Sequence, residues 1–445
     1  MNRRISRRQA LQATAGAMAL PLVHIRTAGA AGKLSIAFWD HWVPQGNEVM
    51  RKQVQTWADR NKVAVQADFI TSNNNKLLMT KAAEAQTRSG HDVITFQTWE
   101  VLQYAEQLEP ADDVMQRLTG KYGPANEVCE YLGKFKGHWM AVPTSSGTQI
   151  KGPCGRISLL RQLAGLDVVA MYPATPVHTP QADTWTYETM LQAMEPCRKA
   201  GLPFGIGLGL TTDSTDTAGA LFAAYGAELV DREGTVKVRS DEVRQVLEYG
   251  RRFVKFLPAD TISYDDATDN IALIAGKSAM IFNPPSAWAV AKRDNPAVAA
   301  DCWTFPAPAG PKGRFDPYLP YFWGVWSFSR NKTAGKELIE YLLERPQVEE
   351  RCSVVAGFDL PPFDTMLDFK VWEEVEPPKG TIYNYPLRPW HNARPSIAAS
   401  WAAPEVAVQI YNRGTLPTML AKLLTGSTIE QTMAWAESEL EGFLR

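Results

Sequence analysis

The chain has 445 residues, which exceeds the size of one ordinary hydrophobic core and predicts two or more domains. A hydrophobic content of 45% and a charged content of 21% are typical of a soluble globular protein. A net charge of −2 excludes the strongly basic surface that attracts nucleic acid.

The first thirty residues predict an export signal rather than folded structure. Residues 6–11 (SRRQAL) resemble the twin-arginine signal, and the uncharged stretch 9–23 is too short to span a membrane. Residues 28–30 (AGA) fit a small-x-small cleavage site. We therefore expect cleavage near Ala30 and a soluble, periplasmic mature protein of about residues 31–445.

The first part of the mature chain alternates between strands and helices. Apolar residues recur either at every second position or at helical spacing. The predicted elements are a strand at 33–39, a helix that buries Met50, Gln53, Val54, Trp57 and Ala58, a strand at 63–69, a helix at 73–88 and a strand at 92–96. This order predicts a parallel α/β sheet, in which ligands bind beyond the carboxyl ends of the strands.

Two polar and aromatic segments follow directly after predicted strands. Residues 37–42 read AFWDHW, and residues 97–99 read QTW. Since side chains alternate along a strand, Trp39 is expected in the core, while Asp40 and Trp42 face the cleft. With 14 tryptophans, 14 tyrosines and 17 phenylalanines in the chain, an aromatic-lined pocket is expected at these strand ends.

The alternation resumes in the second half of the chain. Ser240 begins a helix with acidic residues in its first turn, and Ser427 with Glu430 reads as a capping box for the last helix. Further elements are a short helix at 271–275, a strand at 278–282 and a helix near 333–344. Loops or lobe connections rich in proline and glycine are expected at 172–183, 305–320 and 377–395.

The sequence offers no catalytic constellation. The segment 205–209 (GIGLG) has leucine where a dinucleotide fingerprint needs its third glycine, so we expect a strand with close backbone packing. The mature histidines have no metal-ligand spacing, so no metal or other cofactor is expected. The pairs Asp112–Asp113 and Asp265–Asp266 read as cap or loop acids. The five widely spaced cysteines read mostly as small buried hydrophobes.

Several short blocks, in their order and spacing, resemble the extracellular solute-binding proteins, family 1, of ABC transporters for sugars. The blocks are KLSIAFW at 33–39, SGHDVI at 89–94, HWMAVP at 138–143, AGLD at 164–167 with TW at 184–185, YGAELVD at 225–231 and GKSAM at 276–280. The segment GPCGR at 152–156 departs from the family's usual Tyr-Asn-Lys-Asp, and Thr186-Tyr187-Glu188 replaces its usual acid pair. The entrance to the second lobe is therefore atypical.

The resemblance implies a two-lobed periplasmic binding protein fold of type II-like topology, each lobe a mostly parallel sheet flanked by helices, with a ligand cleft at the hinge. The first lobe would hold 33–143 and about 311–360, and the second 144–310 and about 361–445. The resemblance also implies a monomer that delivers a solute, expected to be a carbohydrate, to ABC permease subunits in the inner membrane.

The resemblance implies a set of cleft residues on both lobes. A pyranose offers an apolar face for stacking on tryptophan and a fringe of hydroxyls for carboxylates and amides. The expected ligand-binding residues are Asp40, His41, Trp42, Gln97, Trp99, Thr211, Asp213, Asn283, Ser286, Trp288, Tyr321 and Trp323.

Two other readings remain open. A secreted carbohydrate-active enzyme would need two positioned carboxylates, and the sequence shows no convincing pair. The same fold could instead bind a polyol, glycerol phosphate or an amine. Arginines in the cleft, for which Arg156, Arg388 and Arg394 are candidates, would favour an anionic ligand.

Overall fold

The computed structural model describes residues 33–173, 178–371, 395, 397–399 and 401–443. The strands are β1 (Lys33–Trp39), β2 (Ala64–Ile70), β3 (Val93–Gln97), β4 (Lys134–Phe135), β5 (His138–Trp139), β6 (Val142–Ile150), β7 (Cys154–Arg156), β8 (Met280–Ile281), β9 (Cys302–Thr304), β10 (Ala309–Gly310), β11 (Gly313–Arg314) and β12 (Tyr318–Val325). The helices are α1 (Pro44–Asn61), α2 (Lys76–Thr87), α3 (Glu100–Tyr104), α4 (Asp112–Tyr122), α5 (Glu127–Gly133), α6 (Ile157–Ala164), α7 (Val168–Met171), α8 (Tyr187–Lys199), α9 (Thr212–Tyr225), α10 (Asp241–Phe253), α11 (Thr268–Ile274), α12 (Pro284–Asp294), α13 (Pro296–Ala300), α14 (Lys332–Leu342), α15 (Arg345–Val354), α16 (Pro404–Asn412), α17 (Thr415–Leu424) and α18 (Ile429–Phe443).

A five-stranded sheet of order β2-β1-β3-β12-β6 forms the centre of the first half. Strand β1 pairs in parallel with β2 and β3, which confirms the predicted parallel arrangement of these three strands. Strand β12 enters antiparallel between β3 and β6, and all of its residues are buried. Helix α1 buries the face with Met50, Val54 and Trp57, as its periodicity predicts.

The second sheet differs from the prediction. Its order is β8-β7-β9, and β7 pairs antiparallel with both neighbours, so the expectation of a mostly parallel sheet in the second lobe is wrong for these strands. These strands are only two or three residues long, and helices lie between β7 and β8 and between β8 and β9 in the sequence. A single parallel bridge joins Gly205 to Ile281 at its edge.

Two chain segments join the two sheets. Strand β6 stays paired with β12 as far as Ile150 and Tyr318, and the Lys151 amide still donates to the Pro317 carbonyl at 2.9 Å. The chain then enters the second sheet at Cys154. It returns through 305–317, which contains the β10–β11 hairpin. The predicted loop at 305–320 is three residues too long, because β12 begins at Tyr318. Most of the predicted loop 377–395 lies outside the described residues.

The C-terminal helices pack against both halves of the molecule. Helix α16 contacts α3, which follows the first sheet, and also α17 and α18. Helix α17 packs against α9 and α10. The C-terminal region therefore spans the junction between the two halves.

Helix starts agree with the predicted caps in one case and differ in another. The Ser240 hydroxyl accepts a hydrogen bond from the Val243 amide at 3.3 Å and caps α10, as predicted. The predicted box of Ser427 and Glu430 is wrong by one residue. The Thr428 hydroxyl accepts from the Gln431 amide at 3.1 Å, and the Gln431 side chain accepts from the Thr428 amide at 2.9 Å.

The glycine-rich segment 205–209 is an extended loop, so the predicted strand is wrong there. The predicted close packing is confirmed, because a Cβ at Gly209 would stand 2.2 Å from the Tyr264 carbonyl oxygen. Only glycine allows the backbone to approach the loop at 262–266 so closely.

All five cysteines are buried and none is in a disulfide, as expected for small core residues. Among the residues that the structure describes, no helix combines the length and the apolar character needed to cross a bilayer.

Candidate functional site

A cavity of about 390 Å³ lies between the carboxyl end of the first sheet and the start of α9. Its size is in the range of small-molecule sites. Its walls combine polar side chains with a few apolar ones from five stretches of chain. The described lining residues are Ser72, Asn73, Asn75, Leu78, Gln97, Thr98, Glu100, Leu210, Thr211, Thr212, Thr215, Ile262, Ser263, Tyr264, Asp265, Asp266, Tyr411, Asn412 and Gly414.

The wall on the first sheet is built around the tip of β3. Gln97 donates from its side-chain amide to the Tyr321 hydroxyl, and its backbone amide donates to the Glu100 carboxylate. Thr98 has a φ of 39°, a conformation that a threonine adopts only when its surroundings hold it. The Thr98 amide donates to the Pro320 carbonyl at 2.9 Å, which ties this turn to β12.

A buried ion pair holds the Glu100 carboxylate in this wall. The Lys81 ammonium is fully buried and donates to the Glu100 carboxylate. Burial lowers the pKa of Lys81, and the attraction of Glu100 offsets part of that effect. The charge of Glu100 is therefore neutralised from within the first half.

The opposite wall is the N-terminus of α9. Thr211 caps this helix, since its hydroxyl accepts from the Ser214 amide at 3.1 Å. Asp266 ties the loop at 262–266 to the same helix end, because its Oδ1 accepts from the Thr212 hydroxyl and from the Asp213 amide, both at 3.2 Å.

Behind this wall lies a buried cluster of Lys151, Asp213, Asp216 and Asn283. The Lys151 ammonium donates to Asp213 and lies 3.1 Å from Oδ2 of Asp216. Asn283 Nδ2 donates to Asp213 Oδ2 at 3.1 Å. Lys151 belongs to the segment that joins the two sheets, so the cluster connects this junction with the cleft-facing helix.

The cluster holds more acid than base. Burial lowers the pKa of Lys151, but the carboxylates of Asp213 and Asp216 outweigh that effect and raise this pKa above its ordinary value. Burial raises the pKa of Asp213 to about 7, and Lys151 offsets this only in part. One ammonium is shared by several carboxylates, so the buried acids of this region bind protons more readily than free carboxyl groups do.

The segment AFWDHW lies beside the cavity, and none of its residues is among the described lining. His41 is 5% exposed. Its Nδ1 accepts a hydrogen bond from the Val43 amide at 2.9 Å, so the ring proton lies on Nε2. The Nε2–H group donates to the Asp359 carboxylate at 3.0 Å. Asp40 accepts from the Asn47 side chain at 2.7 Å. Trp42 is half-buried and meets the buried Trp39 edge-on.

Of the other predicted site residues, the structure brings Gln97 and Thr211 to the cavity and Asp213 to a small void of about 10 Å³ next to it. The remaining ones lie behind the walls or beside them. Trp99 is 1% exposed and packs against the rings of Tyr131 and Tyr411. Further buried members of the set are Asn283, Ser286, Trp288, Tyr321 and Trp323. Their roles in binding stay predictions.

The cavity also contains residues outside the predicted set. Asp265 and Asp266 were visible in the sequence as a loop pair, but nothing in the sequence placed their loop opposite β3. Tyr264, Tyr411 and the asparagines after β2 carried no sequence signal of a site. Within the described parts of the chain, no group of three His, Cys, Asp or Glu side chains could hold a metal ion.

The family model of the bacterial extracellular solute-binding proteins matches residues 52–377. Solved structures are also similar. Maltose-bound MalE3 of T. maritima is 19% identical, with 92% of this chain and 99% of that chain covered and a TM-score of 0.72. A sugar transporter from Arthrobacter chlorophenolicus A6 with bound laminaribiose is 18% identical (93% and 100% covered, TM-score 0.71). The GacH receptor of Streptomyces glaucescens GLA.O, solved unliganded and with acarbose, is 17% identical (93% and 99% covered, TM-score 0.69). No curated protein matches the chain. The structural likeness shows the two-lobed fold of periplasmic binding proteins.

Proposed function

The chain belongs to the family of bacterial extracellular solute-binding proteins, and on that premise we propose that it is the periplasmic component of an ABC importer that captures a sugar or related polyhydroxylated solute. The observation that carries the proposal is the cavity of about 390 Å³ between the two halves, lined by hydroxyl, amide and carboxylate groups. Such groups match the donor and acceptor fringe of a polyol. The neighbours with maltose, laminaribiose and acarbose support this solute class.

The cavity gives less support to the other readings. An anionic solute such as glycerol phosphate needs cations, and none of the described lining residues is Lys, Arg or His. Arg156 pairs with Asp301 at 2.8 Å, and Arg388 and Arg394 lie outside the described residues. A glycosidase needs one protonated and one ionised carboxyl on either side of the scissile bond. In the cavity, Glu100 is ion-paired, and a hydrogen bond from Thr268 lowers the pKa of Asp265. The acid with a raised pKa, Asp213, is bound by Lys151 and Asn283 and does not line the cavity.

We expect the solute to bridge the lobes, which we place at 33–143 with about 311–360 and at 144–310 with about 361–445. The expected contacts are Gln97 and Thr211 on facing walls, with Asp40, Trp42 and the other predicted aromatic residues joining when the lobes close. A ligand that contacts both lobes only in the closed form shifts the population towards it. An unchanged radius of gyration at saturation, measured by small-angle scattering, would contradict closure.

The direct test is a thermal-shift screen of the mature protein against sugars, polyols and uronates, followed by calorimetric titration of the hits. Gln97→Ala should weaken binding about tenfold, the value of roughly one or two hydrogen bonds. Gln116→Ala, on the exposed side of α4, is the matched control and should bind normally. The proposal fails if no polyhydroxylated compound raises the melting temperature, or if both variants bind like the wild type.

Export through the twin-arginine route, cleavage near Ala30, a monomeric state and delivery to permease subunits belong to the same proposal. Arg7→Lys combined with Arg8→Lys should leave unprocessed precursor in the cytoplasm. Normal processing of that double variant in a strain that lacks the twin-arginine translocase would instead point to general secretion.

A further inference from the structure

We propose that His91 is a pH-sensitive switch whose second proton holds helix α2 against strand β2 and thereby keeps one wall of the cavity in place. Loss of that proton as pH rises loosens the helix. The switch belongs to the fold itself, and its effect on solute capture rests on the proposed function.

The buried face of helix α2 is mostly charged. Of its twelve residues, three are buried, namely Leu77, Lys81 and Glu84. A surface helix ordinarily docks through an apolar stripe of three to four residues in every two turns. Here one leucine and two ionisable groups take the place of that stripe. The position of α2 therefore depends on whether both buried charges are offset by partners.

The two charges have different partners. The Lys81 ammonium is offset by Glu100. The Glu84 side chain is 3% exposed, and its carboxylate accepts from the Trp326 indole at 2.9 Å and contacts Nδ1 of His91. In the described parts of the chain, no Lys or Arg nitrogen lies within 4 Å of this carboxylate, so His91 is the group that offsets its charge.

The His91 ring faces a carboxylate with each of its nitrogens. Nδ1 contacts Glu84 on α2, and Nε2 lies 3.1 Å from Oδ2 of Asp68 on β2. An ionised carboxylate only accepts hydrogen bonds, so both ring nitrogens carry protons when both contacts are made. A neutral imidazole has one N–H group and keeps one of these contacts, while its other nitrogen turns a lone pair towards an anion. The cationic ring thus joins α2 to β2, and the neutral ring does not.

The charges around the ring favour the cation. Burial opposes the positive charge, but the hydrogen bonds and the attraction of Glu84 and Asp68 outweigh it and raise the pKa of His91 above its ordinary 6.5. Asp92, the next residue, accepts from β1 and from the segment after β12, and Arg88 at the end of α2 is exposed. The hold on α2 is therefore complete below pH 6.5 and is lost as pH rises through the raised pKa.

Helix α2 connects this switch with the cavity. Asn75, just before the helix, and Leu78 in its first turn line the cavity, as does Glu100, the partner of Lys81. Glu84 lies six residues beyond Leu78, which is about 9 Å along a rigid helix. A loosened α2 leaves only a fraction of the molecules with this wall in place, and the apparent affinity for a solute falls by that fraction.

The first test is hydrogen exchange of the ligand-free mature protein, measured by mass spectrometry from pH 6 to pH 8.5 and corrected for the chemical effect of pH. The opening constant of α2 should rise about tenfold over this range, the value of one charge-assisted hydrogen bond. His91→Gln, which carries no charge, should exchange fast in α2 at every pH. His138→Gln is the matched control, since that histidine is 65% exposed beside Asp112, and it should leave α2 unchanged.

A milder variant covers the case in which His91→Gln does not fold. Asp68→Asn removes the more exposed of the two carboxylates, whose side chain is 43% exposed, and should move the loosening of α2 to lower pH. Exchange of α2 that does not change with pH in the wild type overturns the switch. The same pH dependence in His91→Gln, or an unmoved transition in Asp68→Asn, overturns it as well.

The second test is the affinity for a solute found by the thermal-shift screen, measured at pH 6 and pH 8.5. The affinity of the wild type should fall more than that of His91→Gln. This difference is the relevant quantity, because Asp213 titrates in the same range near the cavity. Equal falls in both proteins overturn the effect of the switch on binding. If no solute binds at either pH, the proposed function fails, and the exchange experiment alone decides whether the switch exists.

Discussion

Lys151→Met should destabilise the protein through the charges that it leaves behind. The ammonium lies 3.1 Å from Asp216 Oδ2, and both side chains are 1% exposed. At an effective dielectric constant of about 20, that pair alone is worth about 5 kcal/mol of gross attraction, and removal of one partner of a buried pair typically costs about 3–5 kcal/mol. Methionine fills most of the volume of lysine, so the loss is electrostatic and not a cavity effect.

The pH dependence identifies the cause. The pKa of Asp213 in the folded protein is about 7, against an ordinary 3.8, so the folded chain holds a proton that the unfolded chain releases between these values. Stability from this group is complete below pH 4 and falls as pH rises through 7. Without Lys151 the folded-state pKa of Asp213 rises further, so the variant should lose more stability at pH 8 than at pH 5.

The assay is denaturant unfolding of the ligand-free protein at both pH values. Lys199→Met, which removes an exposed pair with Glu195 at 2.7 Å, is the control and should cost less than about 0.5 kcal/mol. Adding Asp213→Asn to Lys151→Met should restore part of the loss at pH 8. A loss below about 1 kcal/mol at pH 8, or equal losses at both pH values, would refute the reasoning.

Three further predictions concern stability. Trp99→Ala should lower the free energy of unfolding by about 3–5 kcal/mol, because the ring is 1% exposed and packs between two tyrosines. Trp42→Ala should leave the melting temperature of the ligand-free protein nearly unchanged. Equal melting temperatures of the two variants would contradict the burial argument. Gly209→Ala should lower the melting temperature by several degrees, because its Cβ would stand 2.2 Å from a carbonyl oxygen, and Gly120→Ala, with open space around it, should not. Thr428→Ala should cost about 1 kcal/mol in denaturant unfolding by removing the cap of α18, and an unchanged midpoint would argue against that cap.

Periodicity and short motifs were enough to predict the first half of the fold. Strands β1 to β3 and helix α1 appear where the alternation of apolar residues places them, and the family resemblance is confirmed at the level of extracellular solute-binding proteins. The second sheet was not predictable in this way. Strands of two or three residues are too short to show a period, and their pairing joins segments more than a hundred residues apart in the sequence.

The candidate site, too, was predictable from the sequence only in part. Gln97 and Thr211 were expected from their positions against family motifs, Gln97 at the tip of a predicted strand and Thr211 after the glycine-rich segment, where the structure shows the cap of α9. Asp266 and Tyr411 were missed because each reaches the cavity from a loop or helix end more than fifty residues away from its partners in the wall. More aromatic residues were expected to line the cavity than the structure places there. Trp99 and Trp323 are each 1% exposed and fill the space between packed elements in this conformation.

The five buried thiols make the protein well suited to site-selective labelling. All are 0% exposed, and burial raises the pKa of Cys197 to about 11, so very little reactive thiolate exists at neutral pH. A Leu210→Cys substitution would place one accessible thiol at the cavity mouth, where the native side chain is 73% exposed. A maleimide dye would then attach at that position alone, with every native cysteine left in place, and its emission would report solute capture in real time.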